Sequence, residues 1–246
     1  MAAATFDLSG RSVLITGAGR GLGRALALGA MQAGASVTAF DLDPALLSEL
    51  RSASPAISTD VVDVADRASF MRAAERIGRI DAVVNNAMLI RYDPIEAVDE
   101  RILDRMLSIG IKGSVWGVQA LLRHMDAARG GVVLNLASPT GERGFPNTAV
   151  YSLVKGAIAT LTKTLAAELG PRGVRVNALA PASIPTPGAV AITPRDEYER
   201  RATRIPLRRL GREEDATLAS LYLLSDAASF VSGETLHVDG GFLASA

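Results

Sequence analysis

The chain contains no cysteine. Disulfides, thiol nucleophiles and cysteine-ligated metals are therefore excluded, while the compartment stays open, because oxidising and reducing surroundings both tolerate cysteine-free proteins. Histidine is nearly as scarce. His124 and His237 have no partner at metal-ligand spacing and read as solvated or packed side chains, and no metal is called for. Neither sign of charge is in excess: 26 basic residues balance 26 acidic ones. That removes the basic footprint expected for nucleic acid or an anionic membrane surface and leaves a small molecule as the expected ligand. No run of about 18 uncharged apolar residues occurs. Residues 1–7 lack a basic stretch followed by an apolar one, so a soluble, cytoplasmic protein without a membrane span is the expectation.

What is present suffices for a sizeable core. The 246 residues are 48% hydrophobic and 21% charged, which fits a large α/β domain. Apolar runs bounded by turn residues predict strands at 12–16, 36–40, 56–59, 81–87, 131–137, 174–179 and 235–238. Helical patterns lie between them at 24–33, 66–77, 99–129, 148–170 and 212–224. Alternation of this kind predicts one doubly wound α/β domain over residues 1–246. Inside the stretch 99–129 stand Gly110, Gly113 and Gly117, each costing up to about 1 kcal/mol relative to alanine in a helix, which close backbone packing would explain. A proline-rich connection follows Pro181, and residues from about 182 to about 210 read as a substrate lid. Within it, 195–204 mixes charges at helical spacing, as the exposed face of a lid helix would.

The first strand runs into Gly17, Gly21 and Gly23, and then into a helix. Glycines there let the chain turn tightly and let a diphosphate approach the amides at the helix N-terminus. Asp41 closes the second strand, at the distance where a dinucleotide fold places its ribose-binding carboxylate. A carboxylate there accepts bonds from two ribose hydroxyls and repels a 2′-phosphate, favouring NAD over NADP. Arg20 in the turn argues mildly the other way, and Asp43 adds a second negative charge in favour of NAD. Asp63 is a candidate for the adenine edge, or a turn or cap residue. The fourth strand ends in Asn85-Asn86, two amides that suggest a polar task. Ser138 lies just past the fifth strand, where open α/β sheets bind ligands. In the next helix, Tyr151 and Lys155 stand four residues apart, so phenol and ammonium share a face. A free phenol ionises near pH 10, so acid–base work at neutral pH needs a shift of about three units, or about 4 kcal/mol, which a neighbouring cation would favour.

Taken together, Thr16-Gly17, Gly21, Gly23, Asp41, Asn85-Asn86-Ala87, Ser138, Tyr151-x-x-x-Lys155, Arg175-Val176-Asn177 and Val238-Asp239-Gly240-Gly241 resemble the short-chain dehydrogenase/reductase family from end to end. The resemblance implies a Rossmann-type domain with a parallel seven-stranded sheet flanked by helices on both faces, hydride transfer with a nicotinamide cofactor, and a homotetramer. It implies that Tyr151 takes or gives the substrate proton, that Ser138 bonds the same oxygen, and that Lys155 binds the nicotinamide ribose and lowers the Tyr151 pKa. It also brings Leu22, Leu42, Val64, Asn86, Pro181 and Ile184 to the cofactor, beside Gly17, Arg20, Gly21, Gly23, Asp41 and Asp63.

Three positions depart from the family pattern. Gly110 stands where an asparagine is usual, one that helps hold a distorted helix whose carbonyl anchors a water leading from the lysine to solvent. Gly110 keeps the carbonyl and loses the side chain. Met88 replaces a glycine beside the expected nicotinamide pocket, with substrate contact or neutral drift as its two readings, and Ala182 replaces the glycine that usually follows Pro181. Met88, Leu89, Ile90, Pro139 and Phe145 suggest a small, partly apolar substrate. Arg91 and Arg143 read as substrate contacts or as solvated surface, and Trp116 as core or interface. The expected function is NAD-dependent oxidation of a secondary alcohol to its ketone, or alcohol to aldehyde, or the reverse reduction. The rival is a nucleotide-binding scaffold that has lost turnover.

Overall fold

The computed structural model describes residues 6–191 and 193–245; of the leading stretch read above for a targeting signal, positions 1–5 lie outside the described residues. Strand β1 (Ser12–Thr16) is followed by α1 (Gly21–Gln32), β2 (Ser36–Asp41), α2 (Pro44–Ala53), β3 (Ser58–Val61), α3 (Arg67–Ile77) and β4 (Ala82–Asn85). Then come α4 (Glu100–Leu107), α5 (Gly113–His124), β5 (Gly131–Leu136), α6 (Ala149–Leu169), β6 (Val174–Pro181), α7 (Pro187–Val190), α8 (Arg195–Arg204), α9 (Glu213–Leu224) and β7 (Thr235–Val238). The seven strands form one sheet in the order β3-β2-β1-β4-β5-β6-β7, every pairing parallel.

Parallel strands need crossovers, and the helices that make them cover both faces of the sheet. The central strands are accordingly apolar over most of their length, with alternate residues serving opposite sides. Val13 and Ile15 of β1 join one core with Leu26, Ala27, Leu47 and Leu221, whereas Leu14 joins the other with Phe40, Phe70 and Val118. Strand order reverses between β1 and β4, so the carboxyl ends of those strands open a crevice.

Buried polar groups lock the middle of the sheet. The Asn85 amide donates to Asn135 Oδ1 (2.9 Å), and the Asn135 amide donates to Thr162 Oγ1 on α6 (2.9 Å). Thr162 in turn donates to the Ile158 carbonyl (2.8 Å). This chain of bonds ties β4, β5 and α6 together just beneath the crevice.

The structure corrects the expected elements in several places, among them a helix, α2, where none was expected and a fourth strand that ends at Asn85 rather than 87. Strand β3 starts at Ser58 rather than 56, because the Ile57 amide is taken by the Ser54 carbonyl in a turn closing α2. The helix expected over 99–129 is two helices joined by a π-helical turn, Ser108–Lys112, and it stops at His124, where Met125 is extended and the His124 carbonyl accepts from Ile80. Strand β6 runs on through Pro181. Two of the glycines in this region mark close approaches, to side chains before backbone: a Cβ on Gly117 would lie 2.1 Å from Asn85 Oδ1, and one on Gly113 would lie 3.2 Å from Val64 Cγ2 and 3.3 Å from its carbonyl oxygen.

Asn135→Ala removes one bond from the buried Asn85 amide and one from the Thr162 hydroxyl, which keep only the Ser114 and Ile158 carbonyls as partners, and we expect a loss of about 1 to 3 kcal/mol in urea unfolding. An unchanged midpoint would show that the polar chain adds nothing to stability.

Candidate active site

At the crevice the chain leaves β1 through a left-handed residue, Gly17 (φ 63°), and enters α1 through another, Gly21 (φ 53°). The turn is packed too tightly for side chains: a Cβ on Gly17 would lie 2.8 Å from Ala87 Cα, and one on Gly23 would lie 2.1 Å from the Gly17 carbonyl oxygen. Asn86 holds it shut, its amide donating to the carbonyls of Thr16 (2.9 Å) and Gly17 (3.0 Å). The polar task of Asn86 is thus to staple the turn, while Asn85 serves the buried chain described above.

The N-terminus of α1 carries no side-chain cap and no acidic residue in its first turn. Its free amides and dipole suit a diphosphate. Asp41 faces the same turn, accepting from Gly19 N–H (2.8 Å) and Asp43 N–H (3.1 Å). Asp43 itself caps α2, accepting from Ala45 and Leu46 amides, so its charge is committed to that helix. Arg20 is exposed, with its guanidinium beside Gly188 of α7 rather than at Asp41. This donor set fits a nicotinamide dinucleotide, with room at the glycines, unclaimed amides for phosphates and a fixed carboxylate for a ribose.

The remaining positions of the expected cofactor set are less uniform. Leu22 is half-buried at the start of α1, Leu42 is exposed, and Val64 is buried against Gly113. Asp63 takes the turn role left open above: its carboxylate accepts from the Ala65 amide (2.9 Å) and pairs with Arg105 (2.9 Å). Pro181 ends β6, and Ile184 is buried against Gly211.

The second half of the site comes from β5 and α6. Lys155 is buried, and its ammonium donates to the Leu136 carbonyl at 2.5 Å. It lies 5.6 Å from the centre of the Tyr151 ring, one turn back on α6. Ser138 starts a 3-10 turn, Pro139–Gly141, and its hydroxyl accepts from the Thr140 hydroxyl (3.0 Å) and amide (3.3 Å). That turn lies directly on α6: a Cβ on Gly141 would be 2.8 Å from both Gly156 N and Lys155 C. Tyr92 packs its ring edge-on to Tyr151, centroids 5.6 Å apart. Gly141, Gly156 and Tyr92 are all site-forming residues that sequence reasoning missed.

Burial governs the ionisation of both groups. It pushes the Tyr151 phenol well above its ordinary value, the Tyr92 phenol acts in the same direction, and the Ser138 hydroxyl opposes them. Burial pushes Lys155 down to about 8. The lowering of the phenol that the resemblance implies is therefore outweighed in the protein alone, where desolvation of both charged forms is the larger effect.

Other side chains singled out by the sequence have these neighbours. Met88 points its thioether to Gly110 and Val154, in a cluster with Leu107 and Ile111. Arg91 pairs with Asp93 (3.0 Å). Arg143 lies over the stacked rings of Phe145 and Phe242. His237 meets Glu142 at 3.0 Å, Trp116 is covered by Arg67, and the charges of α8 pair at i,i+3 and i,i+4 spacing, as an exposed helix face predicts. Thr186, in the segment before α7, lies against Gly21, whose Cβ would be 3.1 Å from it.

Known proteins of the same build share this layout. Residues 17–243 match the family model described as enoyl-(acyl carrier protein) reductase. L-xylulose reductase of Bos taurus is 38% identical over 240 residues, covering 96% of this chain and 98% of that protein. Among solved structures, a gluconate 5-dehydrogenase from Burkholderia cenocepacia in complex with NADP and tartrate superposes with a TM-score of 0.92 at 33% identity, all of both chains being covered. A 3-ketoacyl-(acyl-carrier-protein) reductase from Brucella melitensis complexed with NADH gives 0.90 at 32% identity, covering 96% of this chain and 99% of that one.

Proposed function

The chain belongs to the short-chain dehydrogenase/reductase family, and from that premise we propose that it is an NAD-dependent oxidoreductase interconverting a small, partly apolar secondary alcohol and its ketone, or an alcohol and its aldehyde. One observation carries the reading: Ser138, Tyr151 and Lys155 gather at the carboxyl edge of the same sheet whose first turn offers uncapped amides and the Asp41 carboxylate. Bound there, the nicotinamide supplies the hydride acceptor or donor. Tyr151 takes the hydroxyl proton during oxidation and returns it to the carbonyl oxygen during reduction. Ser138 donates to that oxygen and stabilises its developing negative charge. Lys155 would hold the nicotinamide ribose beside the phenol.

The preference for NAD rests on Asp41. Two backbone amides fix its carboxylate at the end of β2, where a 2′-phosphate would meet like charge, and Arg20 is turned toward Gly188. The relatives do not choose, since one structure carries NADP and another NADH. Residues 182–210 act as the substrate lid of this single domain: Thr186 lies over the glycine turn, and Arg201 reaches back to Ser183 (3.4 Å). Exposed Leu153 on α6, Leu218 on α9 and Phe230 support assembly into a homotetramer.

The test is turnover of NAD with a panel of secondary alcohols and polyols, and of NADH with ketones including L-xylulose and 5-ketogluconate. Tyr151→Phe should cut the rate by about a hundred- to ten-thousandfold while NADH still binds. NADH binding with no turnover on any compound would favour the scaffold reading instead. Asp41→Ala should narrow the ratio of kcat/KM between NAD and NADP by at least about tenfold, through loss of a charge-assisted contact to one and of repulsion to the other; an unchanged ratio would overturn the assignment. Because Lys155 gives up its proton at about 8, kcat/KM for reduction should fall as the pH rises through that value while Tyr151 stays protonated. A profile flat to about pH 10 would contradict it.

A further inference from the structure

Behind the acid–base centre the protein is apolar and full. Gly110 is buried in the π-helical turn Ser108–Lys112, the place where an extra residue disturbs the helix. A Cβ there would lie 2.4 Å from Val154 Cγ1 and 2.9 Å from Met88 Sδ, closer than packed atoms come. Val154 is fully buried and stands between Tyr151 and Lys155 on α6. Met88 packs with it against Ala137 and Ile158. The Gly110 carbonyl accepts the Ser114 hydroxyl at 2.7 Å, and the Lys155 ammonium turns the other way, to Leu136.

We propose that Met88, Gly110 and Val154 form a size-matched apolar seal that closes the back of the acid–base centre, with residue 110 a positioning residue that acts on Tyr151 and Lys155 through Val154. The volume a side chain at 110 would need is already occupied, so bulk at 88 and bulk at 110 exclude one another. This differs from the relay implied by an asparagine at 110, in which the carbonyl there anchors water. Here that carbonyl already accepts the Ser114 hydroxyl, and the space beside residue 110 is filled by Met88 and Val154. Of the titratable groups on elements around Lys155, Tyr151, Lys163 and Glu168 lie on the same helix, Tyr92 packs on Tyr151, the π-helical turn contributes Lys112, α4 contributes Glu100, Arg101, Asp104 and Arg105, and β6 contributes Arg175. None perturbs Lys155, whose proton affinity is lowered by burial alone. The inference rests on the reading that Lys155 meets the cofactor.

The test follows NADH affinity by fluorescence from about pH 6 to about pH 11, the range spanning a lysine that is shifted or free. The midpoint lost in Lys155→Met identifies the lysine. Met88→Gly opens the seal to water, and that midpoint should move up by about one unit, since rehydration favours the ammonium. Gly110→Ala should lower the Tm and displace the midpoint, and adding Val154→Ala should recover most of both, a coupling expected only of residues in contact. An unmoved midpoint in Met88→Gly, or losses in the 110 and 154 variants that simply add, would overturn the seal. If the wild type binds no NADH at any pH, the cofactor reading fails, while the coupling in Tm still decides whether 110 and 154 are size-matched.

Discussion

The site depends on a buried ammonium whose hydrogen bond is to a strand-end carbonyl. Lys155 reaches from α6 to Leu136 at the close of β5, and the bond draws together the helix that carries Tyr151 and the strand that leads to Ser138. Burying that charge is unfavourable, which is why its proton affinity drops. Well-made surroundings offset the cost: Gly141 lets the Ser138 turn touch the Lys155 backbone, Tyr92 packs on the Tyr151 ring, and Val154, next to Lys155 on α6, is fully buried. A slack contact at any of these points would admit water and weaken each electrostatic interaction in the cluster.

The cofactor side is built on the opposite principle. There the backbone is left exposed and poor in side chains, because an uncapped helix and a turn with no room for Cβ atoms present amides rather than bulk. The sheet joins the halves. Its strand order reverses between β1 and β4, and the buried bonds from Asn85 through Asn135 to Thr162 hold β4, β5 and α6 in fixed register beneath both.

Much of this was legible in the sequence, because period and spacing are local. Alternating apolar runs announce the sheet, the glycines from Gly17 on announce the tight turn between β1 and α1, and the four-residue step places Tyr151 and Lys155 side by side. What stayed hidden depends on contacts between distant segments. Nothing near position 110 signals that Met88 and Val154 fill the space above it. Nothing near Gly141 signals the backbone of α6, and nothing near Tyr92 signals Tyr151. The helix expected over 99–129 departs for a related reason: its glycines read as packing sites, but nothing local marks the π-helical turn Ser108–Lys112 in which Gly110 lies. Asp43 and Asp63 were read as charges for a ligand or, for Asp63, a turn; the structure commits both to backbone amides, a competition always open to short acidic side chains.

The central claim is that this chain moves hydride at the crevice while Tyr151 moves the proton. It is tested most directly by supplying NADH deuterated at the transferring position of the nicotinamide, together with a ketone, and analysing the alcohol by mass spectrometry. The account predicts one deuterium on the carbinol carbon with the wild type and a near-complete loss of labelled product with Tyr151→Phe. Alcohol formed without label, or label transferred equally well by the phenylalanine variant, would contradict it.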